Sequence, residues 1–403
     1  MHYHWGMTEP TTPNTTETAA IDFVEADAQL TDAVVVGTGP VGMFTAFQLG
    51  LQGVQAHMVD ALPAMGGQCI ELYADKPIYD IPGIPVCTGR ELAERLHTQI
   101  TPFAPIFHGH TQVAQLLPHG DGRWRVQLVA VGDAEGTAAH WLLARTVFVT
   151  AGVGAFVPKL LRTEGIAPLV GSQVFYHPSL TDAWLAQRAA AGPLQHIVIH
   201  GGDEAAVQAA LDAASHPALQ GARISLLHRR DQFNAPPALL DALAALRSNG
   251  AVQVVAGMLQ GVQAVAAADD IKNDSLTSAN NGRMAAISYI NPEGEAAQLP
   301  ADQLWAYQGI SPKLGPVAEW GLALEKKQLL VATDTFQTSA TGIYAAGDIV
   351  TYPGKRKLIA TGFYEATMAA MAAVEYMTGE KLLLEYTTTS KRLHARLGVS
   401  PVE

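Results

Sequence analysis

The sequence predicts two doubly wound α/β domains, one inserted in the other. Three observations lead there. A β-branched run meets a glycine turn and then a helix-like stretch near residue 35, and the same pattern returns near residue 198. Each copy is followed by a second strand ending in polar residues, Asp60 in the first and His228-Arg229-Arg230 in the second. After the second copy, "TDTFQTSATGIYAAGDIV" from Thr333 resumes the first domain. The expected division is a leader over 1–30, a first domain over 31–156 and 313–403, and a second domain over 157–312.

The composition agrees with this. A chain of 403 residues suits two domains, and 48% hydrophobic against 15% charged residues suits a large core. The net charge of −12 argues against nucleic acid, which calls for a basic face. The charge is uneven, because residues 351–403 carry +2 and the rest −14. The two cysteines, Cys69 and Cys87, form no C-x-x-C, so a disulfide framework is out and a reducing cytoplasm is expected. No uncharged apolar run reaches the roughly 20 residues of a membrane helix. The polar start "MHYHWGMTEPTTPNTTETAA" is expected to be a disordered leader, with Met7 as an alternative first residue.

The elements follow in order. The run Ala33 to Val36 is the first strand, the glycine turn opens a helix, and Val54 to Val59 is the second strand. Short strands are expected around Trp124 to Val129 and Leu142 to Thr150. In the second domain "HIVIHGGDEAAVQAALDAA" from His196 gives strand, turn and helix, and Ile224 to Leu227 the next strand. The Asp/Asn/Ser-rich stretch Ala267 to Arg283 reads as an exposed hairpin or loop. A long helix is expected from Gly362 to Met377; its Ala/Met-rich face suits either a core or an interface.

Three stretches carry chemistry. In Gly37-Thr38-Gly39-Pro40-Val41-Gly42 the glycines allow a tight turn, close approach to a pyrophosphate and helix–strand packing. The helix N-terminus then offers free N–H groups to the phosphates. Asp60, 23 residues past Gly37, stands where a carboxylate accepts from the ribose hydroxyls of an unphosphorylated adenosine. The second stretch, "GGQCIELYADKPIYDIPG" (66–83), offers bare backbone at Gly66 and Gly67, an amide at Gln68, and rings at Tyr73 and Tyr79 for a flat heterocycle. In the third, "TGIYAAGD", Asp348 follows a glycine at a strand end and can reach a ligand hydroxyl. No Ser/His/Asp triad, paired carboxylates or metal-ligand spacing is visible.

In order and spacing, these stretches resemble the FAD-binding domain of thioredoxin-reductase-like flavoproteins, with two Rossmann-like domains and without their redox C-x-x-C. The closer resemblance is to the type 2 ferredoxin(flavodoxin)–NADP reductases. It rests on "GPVGMFTAF", "YADKPIYDIPG", "TAGVGAF", "LLHRRDQF", "LGPVAEWGL", "GIYAAGDIVTYPGKRKLIATGF" and "YTTTS", spread from Asp32 to Gly398. The resemblance implies that Asp60 holds the FAD ribose and that Gln68 and Tyr73 touch the flavin, with Tyr73 stacked on it. It places the Val113 backbone at the adenine, Phe156 near the flavin, and Asp348 at the ribityl chain. "YTTTS" would cover the other flavin face through Tyr386, with Thr388 or Thr389 bonding the cofactor. Family members often carry His where Tyr386 stands, and tyrosine does not titrate near neutrality. Tyr364 replaces a glycine of the family's "GFGEA".

The second turn departs from its fingerprint. Read as G-x-G-x-x-A, it places His200 at the first glycine, Gly202 at the second and Ala205 at the last position. His200 must then fit a turn built for glycine. Glu204 sits in the first helical turn, where the pyrophosphate would lie. Arg229 and Arg230 stand at the next strand end in place of the acid of an NAD site, and arginine accepts a 2′-phosphate bidentately. The expected ligand is NADP(H), with Asn234 standing where the family tends to have a further arginine.

The expected function is electron transfer from NADPH through FAD to ferredoxin or flavodoxin, in a cytoplasmic homodimer. The cofactor supplies the chemistry, so no side-chain catalyst is expected. Such partners are acidic, and Lys355, Arg356 and Lys357 with Lys391, Arg392 and Arg396 form the candidate basic dock. A disulfide reductase fails for want of two nearby cysteines. Two alternatives stay open: an NADPH-dependent reductase or oxidase of small acceptors such as oxygen or quinones, and a non-enzymatic flavoprotein whose second site has decayed.

Overall fold

The computed structural model describes residues 23, 25–131, 140–178, 180–192, 194–265 and 283–399. Most of the leader and of the Asp/Asn/Ser-rich stretch lies outside the described residues. Two compact units emerge, one running to Ala155 and resuming at Lys313, the other spanning Phe156–Pro312.

In the first unit a seven-stranded sheet runs in the order Ile106–His108, Ala56–Val59, Gln29–Val36, His140–Val149, Trp124–Ala130, Thr111–Pro118, with Ile343–Ala345 also paired to His140–Val149. The pairs around Gln29–Val36 are parallel, and the last two strands return antiparallel. The first strand begins at Gln29, two residues inside the range expected for the leader. Val34 and Val35 are fully buried, as a strand covered on both faces requires. Helices Pro40–Leu51, Gly89–Ile100 and Ile359–Thr378 share one core with one face of this sheet. The capping box of Thr88 and Glu91 starts the second of them, and Gly379 in the left-handed region (φ 72) ends the third. On the third, Ala366, Ala369, Ala370 and Ala373 are buried, and the last three share a core with Pro40–Leu51. The Ala-rich stripe is therefore core within one chain.

In the second unit a five-stranded, all-parallel sheet runs Val174–Tyr176, Gln303–Tyr307, His196–Gly201, Arg223–His228, Val252–Ala256. Helices Glu204–Ser215 and Pro237–Ser248 bury Ala206, Ala210, Ala213 and Leu243 against one face. An antiparallel sheet of Met258–Val265, Arg283–Ile290 and Ala296–Pro300 covers the other. In both units helices cover one face of a sheet in which a parallel-paired strand ends in a glycine turn.

Candidate functional site: two glycine turns

In the first turn Gly37 sits at φ +98, and a methyl there would lie 2.6 Å from the Thr150 carbonyl oxygen. A methyl on Gly42 would lie 1.9 Å from the Gly37 carbonyl oxygen, so helix and strand touch only through glycine. Gly39 is the N-cap, and no side chain bonds the first helical N–H groups. Gly67 lies across from it; a methyl on Gly67 would stand 2.9 Å from the Gly39 Cα. The Gly66 N–H donates to the Thr38 carbonyl at 3.0 Å and joins the two loops.

Asp60 stands at the end of the neighbouring strand. Its Oδ2 accepts from the Thr38 N–H at 2.7 Å and the Thr38 hydroxyl at 2.8 Å, and its Oδ1 accepts from the Leu62 N–H at 3.0 Å. Pro40 opens the helix at a position that needs no N–H partner. A bulge between Val113 and Gln115 interrupts the ladder to Trp124–Ala130 beside Val113, itself buried.

The second and third stretches border the same turn, since Gly67 lies across from Gly39 and a methyl on Gly347 would lie 3.3 Å from Val41. The Gln68 amide nitrogen lies 2.8 Å from where a methyl on Gly152 would be, in "TAGVGAF". Tyr73 accepts from the Cys69 thiol at 3.5 Å and lines a pocket of about 400 Å³ with Pro77, Ile78, Tyr79, Asp80, Lys357 and Ile359. Burial, then the Cys69 contact, pushes the Tyr73 phenol well above its usual range, so the hydroxyl stays neutral. Asp348 is half-buried; desolvation raises its pKa, opposed by Lys355 and Lys357.

Sequence reasoning missed the brace beneath Asp348. Glu365 is completely buried and accepts from the Gly347 N–H (2.7 Å), the Tyr352 hydroxyl (2.6 Å) and the Lys355 ammonium. The signal was an acid, one of two with Glu375, inside the Ala/Met-rich helix. Lys355, assigned to a basic dock, is only 6% exposed and belongs to this pair. Arg392 is paired with Glu385, and Arg396 donates to the Leu51 carbonyl at the end of the first helix. Arg356, Lys357 and Lys391 remain exposed.

The second turn repeats the first with its register shifted by one from the sequence reading. His200 pairs with Leu227 inside the strand, just as Val36 pairs with Val59. A methyl on Gly201 would lie 2.3 Å from the Tyr307 carbonyl oxygen, the counterpart of Gly37 on Thr150. The Asn234 N–H donates to the Gly202 carbonyl at 2.8 Å, the counterpart of Gly66 on Thr38. The Ala206 Cβ lies 2.7 Å from where a Gly201 methyl would be, and so takes the place of Gly42. The fingerprint is therefore Gly201-Gly202-Asp203-Glu204-Ala205-Ala206. His200 is a strand residue with its ring bonded to the Leu227 carbonyl at 3.0 Å, and needs no glycine geometry. The residue in the place of the second glycine is Asp203. His228 takes the place of Asp60, and its ring fills the space a Gly202 side chain would need. Arg229 and Arg230 follow it, exposed, with Asn234 alongside the turn.

These two turns are the hallmark of a chain that handles two dinucleotides, and comparison with known proteins agrees. The pyridine nucleotide-disulphide oxidoreductase family matches residues 107–375. A ferredoxin–NADP reductase of Acidovorax sp. (strain JS42) is 54% identical over 93% of this chain and 97% of its own length. One of Verminephrobacter eiseniae is 49% identical over 92% and 97%. The chain belongs to the ferredoxin–NADP reductase family. The resemblance read from the sequence holds at that level. Among solved structures, a bacillithiol disulfide reductase of Bacillus cereus aligns with TM-score 0.53 at 15% identity, over 86% of this chain and 100% of that one. The Lactococcus lactis thioredoxin reductase aligns with TM-score 0.50 at 18% identity, over 87% and 100%. These two share the fold. In this reductase-family chain Cys69 and Cys87 are free and buried, with no C-x-x-C.

The family's expected flavin contact at Tyr386 is not assembled among the described residues. Tyr386 is 65% exposed and has no ring partner among the described residues. It sits in a turn with Thr388 and Thr389, held by the Tyr386 carbonyl accepting from the Thr389 N–H at 3.1 Å. The following helix Lys391–Leu397 docks through Leu393 and Arg396 near the C-terminal end of Pro40–Leu51, the end away from the glycine turn. Phe156 lies in the strand Ala155–Pro158, and its side chain is outside the described residues. Tyr364 is 59% exposed, its ring edge-on to Phe336.

Proposed function

We propose that this chain moves electrons between NADPH and ferredoxin through FAD, with flavodoxin as a second acidic partner. The single observation that carries this is the first turn: bare glycine backbone, an uncapped helix N-terminus, and Asp60 beside it. That cradle fits a pyrophosphate and a ribose. Asp60 has about four lone-pair positions and uses three, which leaves Oδ1 able to accept from a ribose hydroxyl. The bulge at Val113 frees backbone for an adenine. Gln68, Tyr73 and Asp348 line the route for the ring system and the ribityl chain. FAD supplies the chemistry when bound, taking two electrons at once and releasing them singly.

The chain's own residues bind and orient. Tyr73, neutral and half-buried, offers a stacking face. Arg229 and Arg230 pair with the 2′-phosphate of NADPH at the second turn. Arg356, Lys357 and Lys391 are the exposed cations left to meet an acidic protein. We assign the chain to the cytoplasm as a homodimer: both cysteines are free, and no helix among the described residues is long and apolar enough to cross a membrane. Leu383 and Leu384, 85% and 60% exposed, suit a face covered by a second copy.

Anaerobic stopped-flow mixing of the yellow protein with NADPH and with NADH tests this. Fast bleaching by NADPH, slow bleaching by NADH and reduction of an added ferredoxin are expected. Bleaching by neither nucleotide would leave a flavoprotein without reductase activity. Bleaching by NADPH with reoxidation by oxygen or quinone alone would replace ferredoxin by a small acceptor.

A further inference from the structure

The shifted register puts a carboxylate where the first turn has Gly39. The Asp203 side chain caps the helix Glu204–Ser215, with Oδ1 accepting from the Ala206 N–H at 3.1 Å. Those first N–H groups, with the positive end of the helix dipole, are what a dinucleotide pyrophosphate binds. A capping carboxylate and a pyrophosphate compete for the same donors, and two anions there also repel. The first turn has no such competitor, because Gly39 brings no side chain.

The surroundings of Asp203 point to a ligand-handling position. His177 lies within electrostatic reach of it, on a left-handed backbone at φ 44; burial lowers the pKa of its ring, and the buried Nε2 has no hydrogen-bond partner among the described residues. Asp203 Oδ2 and the Lys159 ammonium each lie 3.9 Å from where a methyl on Gly309 would be. The Lys159 ammonium thus borders the space the carboxylate enters when it leaves the cap, with the His177 imidazole within electrostatic reach.

We propose that Asp203 sets the affinity of this chain for NADP(H). The carboxylate must swing off the helix N-terminus toward Lys159 and His177 before the pyrophosphate binds, and this makes the site weak. The proposal rests on the reading of the second turn as the NADP(H) site. Asp203 acts through the donors it occupies; it touches no reacting atom.

The test is a titration of the FAD-loaded full chain with NADP+ and with adenosine 2′-phosphate, which carries the 2′-phosphate but no pyrophosphate. Asp203→Asn keeps a good cap and removes the charge; Asp203→Gly removes both. NADP+ is expected to bind about fivefold tighter to Asp203→Asn and about tenfold tighter to Asp203→Gly, with adenosine 2′-phosphate unchanged within twofold. In turnover the gain should fall on KM for NADPH, with kcat steady. Unchanged or weaker NADP+ binding in Asp203→Asn, with adenosine 2′-phosphate still bound, would overturn the proposal and leave the NADP(H) reading intact. Failure of every variant and the parent to bind either probe would overturn that reading, and the proposal with it. Since Asn caps as well as Asp, its result stands even if the glycine variant folds poorly.

Discussion

The two glycine turns share a backbone and differ in where they keep their negative charge. In the first, the carboxylate is Asp60, at the end of the neighbouring strand, reaching the Thr38 N–H and leaving the helix N-terminus bare. In the second, the carboxylate is Asp203, on the helix N-terminus itself, and the strand end carries His228 with Arg229 and Arg230. The bonds that shape the turns are the same: Gly66 to Thr38 in one, Asn234 to Gly202 in the other. Packing fixes the turn; single positions around it decide what it accepts. An open helix end with an acid beside it suits a permanently bound, unphosphorylated adenosine end. A capped helix end with cations beside it suits a ligand that comes and goes and carries an extra phosphate.

The bracing differs too, and breaking it should give the largest effect. Glu365 holds the Gly347 N–H, and Gly347 and Gly362 both pack on Val41 in the first helical turn. Glu365→Gln would leave the Lys355 ammonium buried without its counter-charge, at a cost of about 3–5 kcal/mol. Urea melts should show this loss, and pairing the change with Lys355→Met should recover much of it. A loss under about 1 kcal/mol would mean that Lys355 finds water instead.

The next test sets Gly42 against Ala206. Gly42→Ala places a methyl 1.9 Å from a backbone oxygen that cannot yield cheaply. We expect about 2–3 kcal/mol of destabilisation and purification with less than about a tenth of the flavin. Ala206→Gly, at the matching place, should cost about 1–2 kcal/mol, from helix propensity and the lost buried methyl, with the flavin retained. Flavin-to-protein absorbance and thermal melts check both. Equal effects at the two positions would break the proposed equivalence.

Arg229→Ala should raise KM for NADPH about tenfold and leave that for NADH within twofold. Arg230→Ala should act in the same direction, and its backbone bond to the His228 ring is kept by the substitution. An unchanged preference between the nucleotides in the double variant would remove the 2′-phosphate assignment.

What the sequence carried and what it hid follow from the same geometry. The first turn and Asp60 were legible because glycines and acid lie within 24 residues, Gly37 to Asp60, directly after a β-branched strand. The second turn was legible as a turn but not in register. Gly201-Gly202 offers two ways to place the first glycine, and only strand pairing, His200 on Leu227 and Gly201 on Tyr307, decides between them. The exposed charges of the tail were counted correctly as sequence but not as surface, since pairing with Glu365 removes Lys355 and packing on Leu51 occupies Arg396. Contacts between residues far apart in the chain, such as His57 with His108, leave no local pattern at all.

That histidine pair gives the smallest predicted effect, and a last contrast between the units. His57 on the strand beside Gln29–Val36 matches Ser225 beside His196–Gly201, as the pairings Val34 to His57 and Val198 to Ser225 show. Both are buried polar residues, 3% and 5% exposed, but only one titrates. The His57 Nδ1 lies 2.9 Å from the His108 Nε2, so one ring donates and the other accepts, and the accepting ring has to stay neutral. Burial, then the nearby His108 and His140, lowers the His57 pKa to about 4. A folded-state pKa below the unfolded value means that the unfolded chain takes up the proton first. Stability from His57 is then whole above about pH 6.5 and is lost as pH falls from there toward about 4. The loss between pH 7 and pH 5.5 should be about 1 kcal/mol. In His57→Gln the urea midpoint should fall less over this range. A residual slope is expected, because burial also lowers the pKa of His108 and of His200 in the other unit. A slope unchanged by the substitution would mean that His57 is protonated in the folded chain or solvated in it, and the contrast with Ser225 would vanish.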